Sequence, residues 1–277
     1  MAFETRIVKS PALPCEFEVL ADDSVIGPAI ERGGWEDFET ALFRAHLRPG
    51  SRALDLGANI GWFAVQGVLA GAHVDSFEPI PAIAAIARRN IARAQQHGTG
   101  SATVHECAAG SAQGQAVIHL SQRNRGDNRI AEGTPADMRD AAPLTIRVER
   151  VDDCVATDKP YSMIKIDTQG SEWHALQGMQ AVLASSPQCA LLIEFWPYAL
   201  RGAQPAQLLA HLTQLGFQLG KATAAPYPMQ TERILAQALA RDPVKGGLDL
   251  YGVRQRPFHV LGLAARLRGA LRALREA

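Results

Sequence analysis

Two rhythms of apolar residues alternate along this chain. Phe38, Leu42, Phe43 and Leu47 recur at helical spacing over residues 35–47, and Pro49-Gly50 ends that helix. The apolar run at 52–56 is too short for a helix and is bounded by glycine, so it predicts a buried strand. The pattern then repeats as a helix over 60–70, a strand at 74–78, an alanine- and arginine-rich helix over 81–96, a break at His97-Gly98-Thr99-Gly100 and a strand at 103–107. Two later apolar runs, 163–167 and 190–195, each carry an acid at the end, with a helix over 171–184 between them. A helix over 204–215 and strands at 217–221 and 248–254 complete the series, and residues 17–20 read as a short strand region near the start. Strands alternating with helices predict an α/β fold with a doubly wound, mostly parallel, seven-stranded sheet covered on both faces.

One stretch breaks the rhythm. Residues 116–120 and 145–151 alternate in the manner of strands, which predicts an inserted strand pair at about 115–151. Between them, residues 121–142 are polar and turn-rich and hold Arg123, Arg125, Gly126, Asp127, Asn128 and Arg129. A loop of that length inside a compact domain is commonly a lid or substrate loop, the alternative being a solvated excursion. Asn128 and Arg129 are its candidate contacts to a polar substrate. At the far end, Val260, Leu263, Leu267, Leu271 and Leu274 recur at three and four residues among several arginines. That is a basic amphipathic helix, suited to packing or oligomerisation or, alternatively, to an anionic surface. The expected organisation is an N-terminal segment of strands and a helix (1–48), a main domain (49–256) and the C-terminal helix (257–277).

Composition narrows the function classes. With 277 residues and 47% hydrophobic content, a sizeable core is available. The 28 basic and 28 acidic residues balance, which opposes non-specific nucleic-acid binding by the whole surface. Cys15, Cys107, Cys154 and Cys189 lie far apart with no C-x-x-C pair, so a zinc site, redox motif or disulfide framework is not expected. No basic segment followed by an apolar core opens the chain, and no run reaches the roughly 18 apolar residues of a membrane span. The expectation is a soluble, cytoplasmic protein without a transmembrane segment.

The chemistry concentrates where strand 52–56 runs into Asp55-Leu56-Gly57-Ala58-Asn59-Ile60-Gly61. A glycine-bearing turn between strand and helix presents free backbone N–H groups to a polar ligand. Glu78 ends the next strand, where folds of this class grip a ribose through its hydroxyls. A nucleoside-containing cofactor follows. The turn reads G-x-x-x-G, not the dinucleotide G-x-G-x-x-G, and carries no basic residue, so a pyrophosphate is poorly provided for. Asp55, Glu78, Cys107, Asp167 and Glu194 all fall at or near carboxyl ends of strands, which is where such sheets bind ligands.

The pattern Asp55-x-Gly57-x-x-x-Gly61 followed by Phe77-Glu78-Pro79 resembles the first two motifs of class I S-adenosylmethionine (SAM) methyltransferases. Gly34-Trp35-Glu36 before it, and Ile164-Lys165-Ile166-Asp167-Thr168-Gln169-Gly170-Ser171-Glu172 with Leu176 and Gly178 after it, narrow the resemblance to the FkbM family. It covers about residues 34–194. The resemblance implies SAM-dependent methyl transfer, usually to a hydroxyl of a sugar or natural product, with Gly57, Ala58, Asn59 and Gly61 lining the methionine portion. Asp55 would orient that loop or meet the amino group, Glu78 would take the ribose hydroxyls, and Cys107 and Ala108 would flank the adenine.

For catalysis, Asp167 is the first candidate base, ending a central strand, and Glu194 could join it from the next strand. The two carboxylates could hold a divalent cation through oxygen ligands or form a hydrogen-bonded anchor. Glu172 could cap its helix or bind substrate. Lys165, mid-strand, is expected to pair with an acid, because a lone buried ammonium is costly. His105 and His174 read as structural. The competing functions are a nicotinamide-dependent oxidoreductase, which shares the strand-turn-helix opening, and a catalytically silent SAM-binding scaffold. A small-molecule or glycan acceptor and a homo-oligomer are the partners this reading entertains.

Overall fold

Leu54 and Leu56 on one side of a strand, and Ala53 and Asp55 on the other, are all fully buried. A strand hidden on both faces belongs in the middle of a covered sheet. That is where the computed structural model, which describes residues 3–121, 126–130, 143–244 and 246–259, puts it. The chain opens with β1 (Thr5–Lys9) and β2 (Glu16–Leu20), an antiparallel pair, then α1 (Ile26–Arg32) and α2 (Asp37–Ala45). The central series follows: β3 (Arg52–Leu56), α3 (Trp62–Leu69), β4 (His73–Phe77), α4 (Pro81–Ala94) and β5 (Ser101–His105). The insertion is β6 (Ala108–Ala109), β7 (Gly114–His119), β8 (Arg129–Ile130) and β9 (Pro143–Glu149). After α5 (Val151–Cys154) come β10 (Met163–Ile166), α6 (Glu172–Gln177), α7 (Gln180–Ser185), β11 (Ala190–Phe195), α8 (Pro205–Gln214), β12 (Gln218–Lys221), α9 (Thr231–Leu239) and β13 (Leu248–Val253).

The main sheet has the order β12-β13-β11-β10-β3-β4-β5. Its members run parallel except β13, which is antiparallel to both neighbours. The seven-stranded, doubly wound expectation is met. The chain winds outward from β3 through β4 and β5, then returns to lay β10 on the other side of β3, so the order reverses between β3 and β10. Side chains alternate into two cores. Ala53, Val74, Met163, Ala190 and Leu192 join α3 and α4 on one face. Leu54, Leu56, Ile164, Ile166, Leu191 and Ile193 join α6, α7 and α8 on the other. Helix α3 is buried without a break from Trp62 to Val68, as its lack of a polar face requires.

Three expectations change. The inserted strand pair is a four-stranded sheet, β6-β9-β7-β8, because Ala108 and Ala109 extend it in parallel and Arg129 and Ile130 add an edge. The single helix expected over 171–184 is two helices broken at Gly178. There α6 meets the backbone of Gly110, and a Cβ would lie 1.9 Å from the Gly110 carbonyl oxygen. The amide of Asp152 also bonds the Gly178 carbonyl, pinning the break. Helices α1, α5 and α9 were not foreseen. The amphipathic helix expected over 257–277 falls, from residue 260 onward, outside the described residues, as do Arg123 and Arg125. Among the described residues, no helix is long and apolar enough to cross a membrane.

Candidate functional site

Two adjoining clefts open at the carboxyl ends of β3 and β10, at the reversal of strand order, where open α/β sheets hold ligands. Gly57, Asn59, Gly126, Asp167 and Gln169 belong to both. The loop after β3 can run this close to β10 only because residue 57 is glycine. Its φ is +90°, and a Cβ would lie 1.8 Å from the Asp167 carbonyl oxygen. Residue Asn59 is also left-handed (φ 49°), and its side-chain oxygen accepts from the Ile60 N–H.

The first cleft, about 550 Å³ and open to solvent, has one acidic wall and one apolar wall. Glu78 anchors the acidic wall. One carboxylate oxygen accepts from the Asn59 N–H at 3.0 Å and the other from the Ile80 N–H at 2.9 Å. Burial nevertheless pushes its carboxyl up to about 7, against the pull of those two amides. Phe77, Ile80, Ala108, Ala109, Ile118 and Ile130 supply the apolar surface. The insertion sheet thus forms one side of the cleft, and Asn128 reaches it while accepting from the Ser121 N–H at 3.0 Å.

The second cleft, about 1180 Å³ and open to solvent, is acidic and aromatic. Lys165 is its buried ammonium. Its Nζ lies 2.8 Å from Asp167 Oδ2, 3.5 Å from Glu36 Oε2 and 4.5 Å from the centre of the Phe63 ring. Burial pulls its pKa down, but Asp167, Glu36 and Asp55 outweigh that and leave it well above the ordinary value. The expected pairing of Lys165 with an acid is present. The side-chain amide of Gln169, on a left-handed residue (φ 53°), donates to Asp167 Oδ1 at 2.7 Å and to Glu194 Oε2 at 3.0 Å. Burial and neighbouring acids raise Glu194 well above, and Glu36 to about 8. Trp35, Trp196 and Asp249 complete the walls.

The candidates divide on this geometry. Gly57, Asn59, Glu78, Ala108, Asn128 and Asp167 meet at the first cleft, and Ala58 and Glu194 at the second. Asp55 lies just below. It is fully buried, both its oxygens make no hydrogen bond, and burial raises it to about 6. Gly61 abuts Ala87 of α4 and does not line either cleft. Cys107 is turned into the core, where its thiol meets Cys154. Glu172 is buried behind the β10–α6 loop, its Oε1 accepting from the amides of Thr168 and Gly170 and from the Thr168 hydroxyl. It staples the loop and does not line a cleft. Arg129 forms a two-pronged pair with Asp127 and lies 4.5 Å from the Trp196 ring centre. His105 stacks on Phe77 and reaches Asp75.

Sequence reasoning did not assign Glu36, Gln169, Trp196 or Asp249 to the site. The signal for Gln169 was its place inside the Asp167-Thr168-Gln169-Gly170 segment. Glu36 was named only within the Gly34-Trp35-Glu36 stretch that carries the resemblance, and nothing in the pattern marks Asp249; both arrive from distant parts of the chain. Among the described residues, no group of three or more His, Cys, Asp or Glu side chains is arranged to hold a metal ion. Between Asp167 and Glu194 stands the Gln169 amide.

Comparison with known proteins bears on these clefts. No curated protein matches the sequence significantly. Among solved structures, a TehB-like SAM-dependent methyltransferase from Corynebacterium glutamicum is 14% identical, with 81% of this chain and 90% of that one covered and a TM-score of 0.41. The magnesium protoporphyrin IX methyltransferase of Synechocystis, solved with SAM bound, is 14% identical, with 75% and 71% covered and a TM-score of 0.40. At those scores the likeness adds nothing to what the strand order already gives. The model of the methyltransferase FkbM domain matches residues 55–219, which take in the end of β3, the Glu78 turn and the whole Lys165–Glu172 segment. The chain belongs to the FkbM family of SAM-dependent methyltransferases.

Proposed function

We propose that the protein transfers the methyl group of SAM to a hydroxyl of a sugar-like or natural-product acceptor. The observation that carries this reading is the position of Asp167. Its carboxylate borders both clefts, and it is held from one side by Lys165 and from the other by Gln169. The first cleft fits the cofactor. Glu78 retains lone pairs for the ribose hydroxyls, the apolar wall with Ala108 suits an adenine, and Gly57, Asn59 and Asp167 border the place for the methionine portion, with Asp55 buried beneath that loop. Bound SAM supplies an electrophilic methyl carbon on a sulfonium leaving group.

The chain's own residues then have two tasks. The second cleft holds the acceptor so that its oxygen faces the methyl carbon, and such positioning supplies much of the rate. Asp167 takes the hydroxyl proton as the oxygen–carbon bond forms, while the electrons of the breaking bond stay with sulfur. Lys165 and Gln169 keep that carboxylate in place, with Glu194 sharing the same amide. Trp35 offers a flat face to a ring acceptor, the Trp196 ring is covered by Arg129, and Asn128 edges the cofactor side. Arg129 is spent on Asp127 and Trp196, so in this reading it shapes the cleft rather than binding an anionic acceptor.

The reading needs no divalent cation, because an amide already joins Asp167 and Glu194. Free cysteines agree with a cytoplasmic site of action. The test is methyl transfer from labelled SAM to a panel of pyranosides and hydroxylated macrocycles. Asp167→Asn should lower kcat by at least a hundredfold with SAM affinity unchanged. Full turnover in Asp167→Asn, or transfer to nitrogen only, would overturn the proposal.

A further inference from the structure

Residues 127–130 send their side chains alternately to two sides, as an extended chain must. Asn128 and Ile130 line the first cleft. Asp127 lines the second, and Arg129 reaches the Trp196 ring on that cleft's wall. Gly126, just before them, borders both clefts. This short piece of the insertion is therefore a partition between the two clefts.

The backbone holds the partition lightly. β8 is two residues long and, among the described residues, is the edge of its sheet, paired with Ile118 and His119 of β7. So small a ladder leaves much of the placement to side chains. On the insertion side, Asn128 accepts from the Ser121 N–H at 3.0 Å. On the other side stands Arg129. Its Nε and Nη2 donate to the two carboxylate oxygens of Asp127, each at 2.6 Å, and its guanidinium lies 4.5 Å from the centre of the Trp196 ring. The edge of the guanidinium goes to the carboxylate and the face to the indole, which a planar group allows and an ammonium does not. Arg129 is 13% exposed, so water weakens the attraction little. The indole is itself fixed. Trp196 is buried, and its Nε1 donates to the Pro243 carbonyl at 3.0 Å. Because Trp196 directly follows β11, the contact ties the insertion sheet to the main sheet across the second cleft.

We propose that Arg129 is a positioning residue, which by clasping Trp196 holds Asn128 and Ile130 against the bound cofactor and sets how long SAM and its product stay seated. The inference rests on the reading of the first cleft as the cofactor side. Arg129 does not line that cleft and acts through its neighbours in the chain.

The test loads the full chain with tritiated S-adenosylhomocysteine, chases it with excess unlabelled ligand and follows release. Arg129→Ala should release the label about tenfold faster, with the association rate within a factor of about three. Arg129→Lys keeps the charge and loses the plane, so it should behave like Arg129→Ala. Trp196→Phe keeps an aromatic face and should release only about threefold faster. The double variant Arg129→Ala/Trp196→Phe should release no faster than Arg129→Ala alone, because the ring has already lost its cation. Unchanged release in Arg129→Ala, full retention in Arg129→Lys or additive effects in the double variant would overturn the inference. So would slower association in Arg129→Lys together with a lower ligand-free thermal midpoint, the mark of a merely structural role. A wild-type protein that binds no S-adenosylhomocysteine would end the cofactor reading as well, whereas binding that is insensitive to Arg129 would end the clasp alone.

Discussion

Replacing Glu78 by glutamine separates the carboxylate's structural duty from its binding duty. Both carboxylate oxygens accept backbone N–H groups, from Asn59 and Ile80. Glutamine has one acceptor and one donor end, so one of those amides would face an NH₂ group and lose its partner. An unsatisfied buried amide costs about 1–3 kcal/mol. Against this stands the charge itself. The carboxyl is carried from 4.5 to about 7 by burial, so keeping it ionised in the folded protein costs at most about 3 kcal/mol. The direction follows from the raised value. The folded state holds the proton more tightly than the unfolded state, so the contribution is fully present below pH 4.5 and is lost as pH rises through 7. Glu78→Gln therefore destabilises the ligand-free protein near pH 5 and is close to neutral near pH 8. Its stability should decline less with pH than that of the wild type, by up to about 3 kcal/mol. Denaturant unfolding at pH 5, 6.5 and 8 measures this. SAM affinity should fall about 30-fold or more at pH 8, because two hydroxyls lose a charged acceptor worth roughly 2 kcal/mol or more. An unchanged pH slope together with unchanged SAM affinity would refute both the burial argument and the assignment of this cleft to the cofactor.

Other variants probe the neighbouring parts. Gly57→Ala places a methyl group on the Asp167 carbonyl at a left-handed backbone position; a loss of about 3 kcal/mol in unfolding free energy and no calorimetric SAM binding are expected. Gln169→Leu removes the amide shared by Asp167 and Glu194; kcat should fall about 10- to 100-fold, with SAM affinity within a factor of about three, as steady-state kinetics and calorimetry would report. Chelation with EDTA should leave turnover unchanged, since the reading uses no metal; loss of activity restored by Mg²⁺ or Mn²⁺ would count against it.

The parallel core of the fold was legible because its strands are hidden on both faces and read as continuous apolar runs. Residues 52–56 and 190–195 coincide with β3 and β11 end to end. The helix over 171–184 was misread as one piece because its break is tertiary. Gly178 is set by the backbone of Gly110, which no local pattern reports. Cleft residues on the Asp55–Gly61 and Lys165–Glu172 segments were found, because their chemistry lies close together in sequence. Glu36 and Asp249 were not. Asp249 is an ordinary acid in its own segment, Glu36 stood only within the Gly34-Trp35-Glu36 stretch of the resemblance with no role assigned, and only the fold brings both to the cleft at the end of β10. Cys107 and Ala108 were expected together beside the adenine; Ala108 lines the first cleft, while the Cys107 thiol turns into the core toward Cys154.

The central claim is that cofactor and acceptor occupy the two clefts on either side of Asp167. A crystal structure of the S-adenosylhomocysteine complex tests it most directly. The account predicts ribose hydroxyls on Glu78, adenine against Ile80, Ala108 and Ile118, and the sulfur at the junction of the clefts beside Asp167. A nucleoside lodged among Glu36, Glu194 and Asp249, or a ligand away from the ends of β3 and β10, would contradict it.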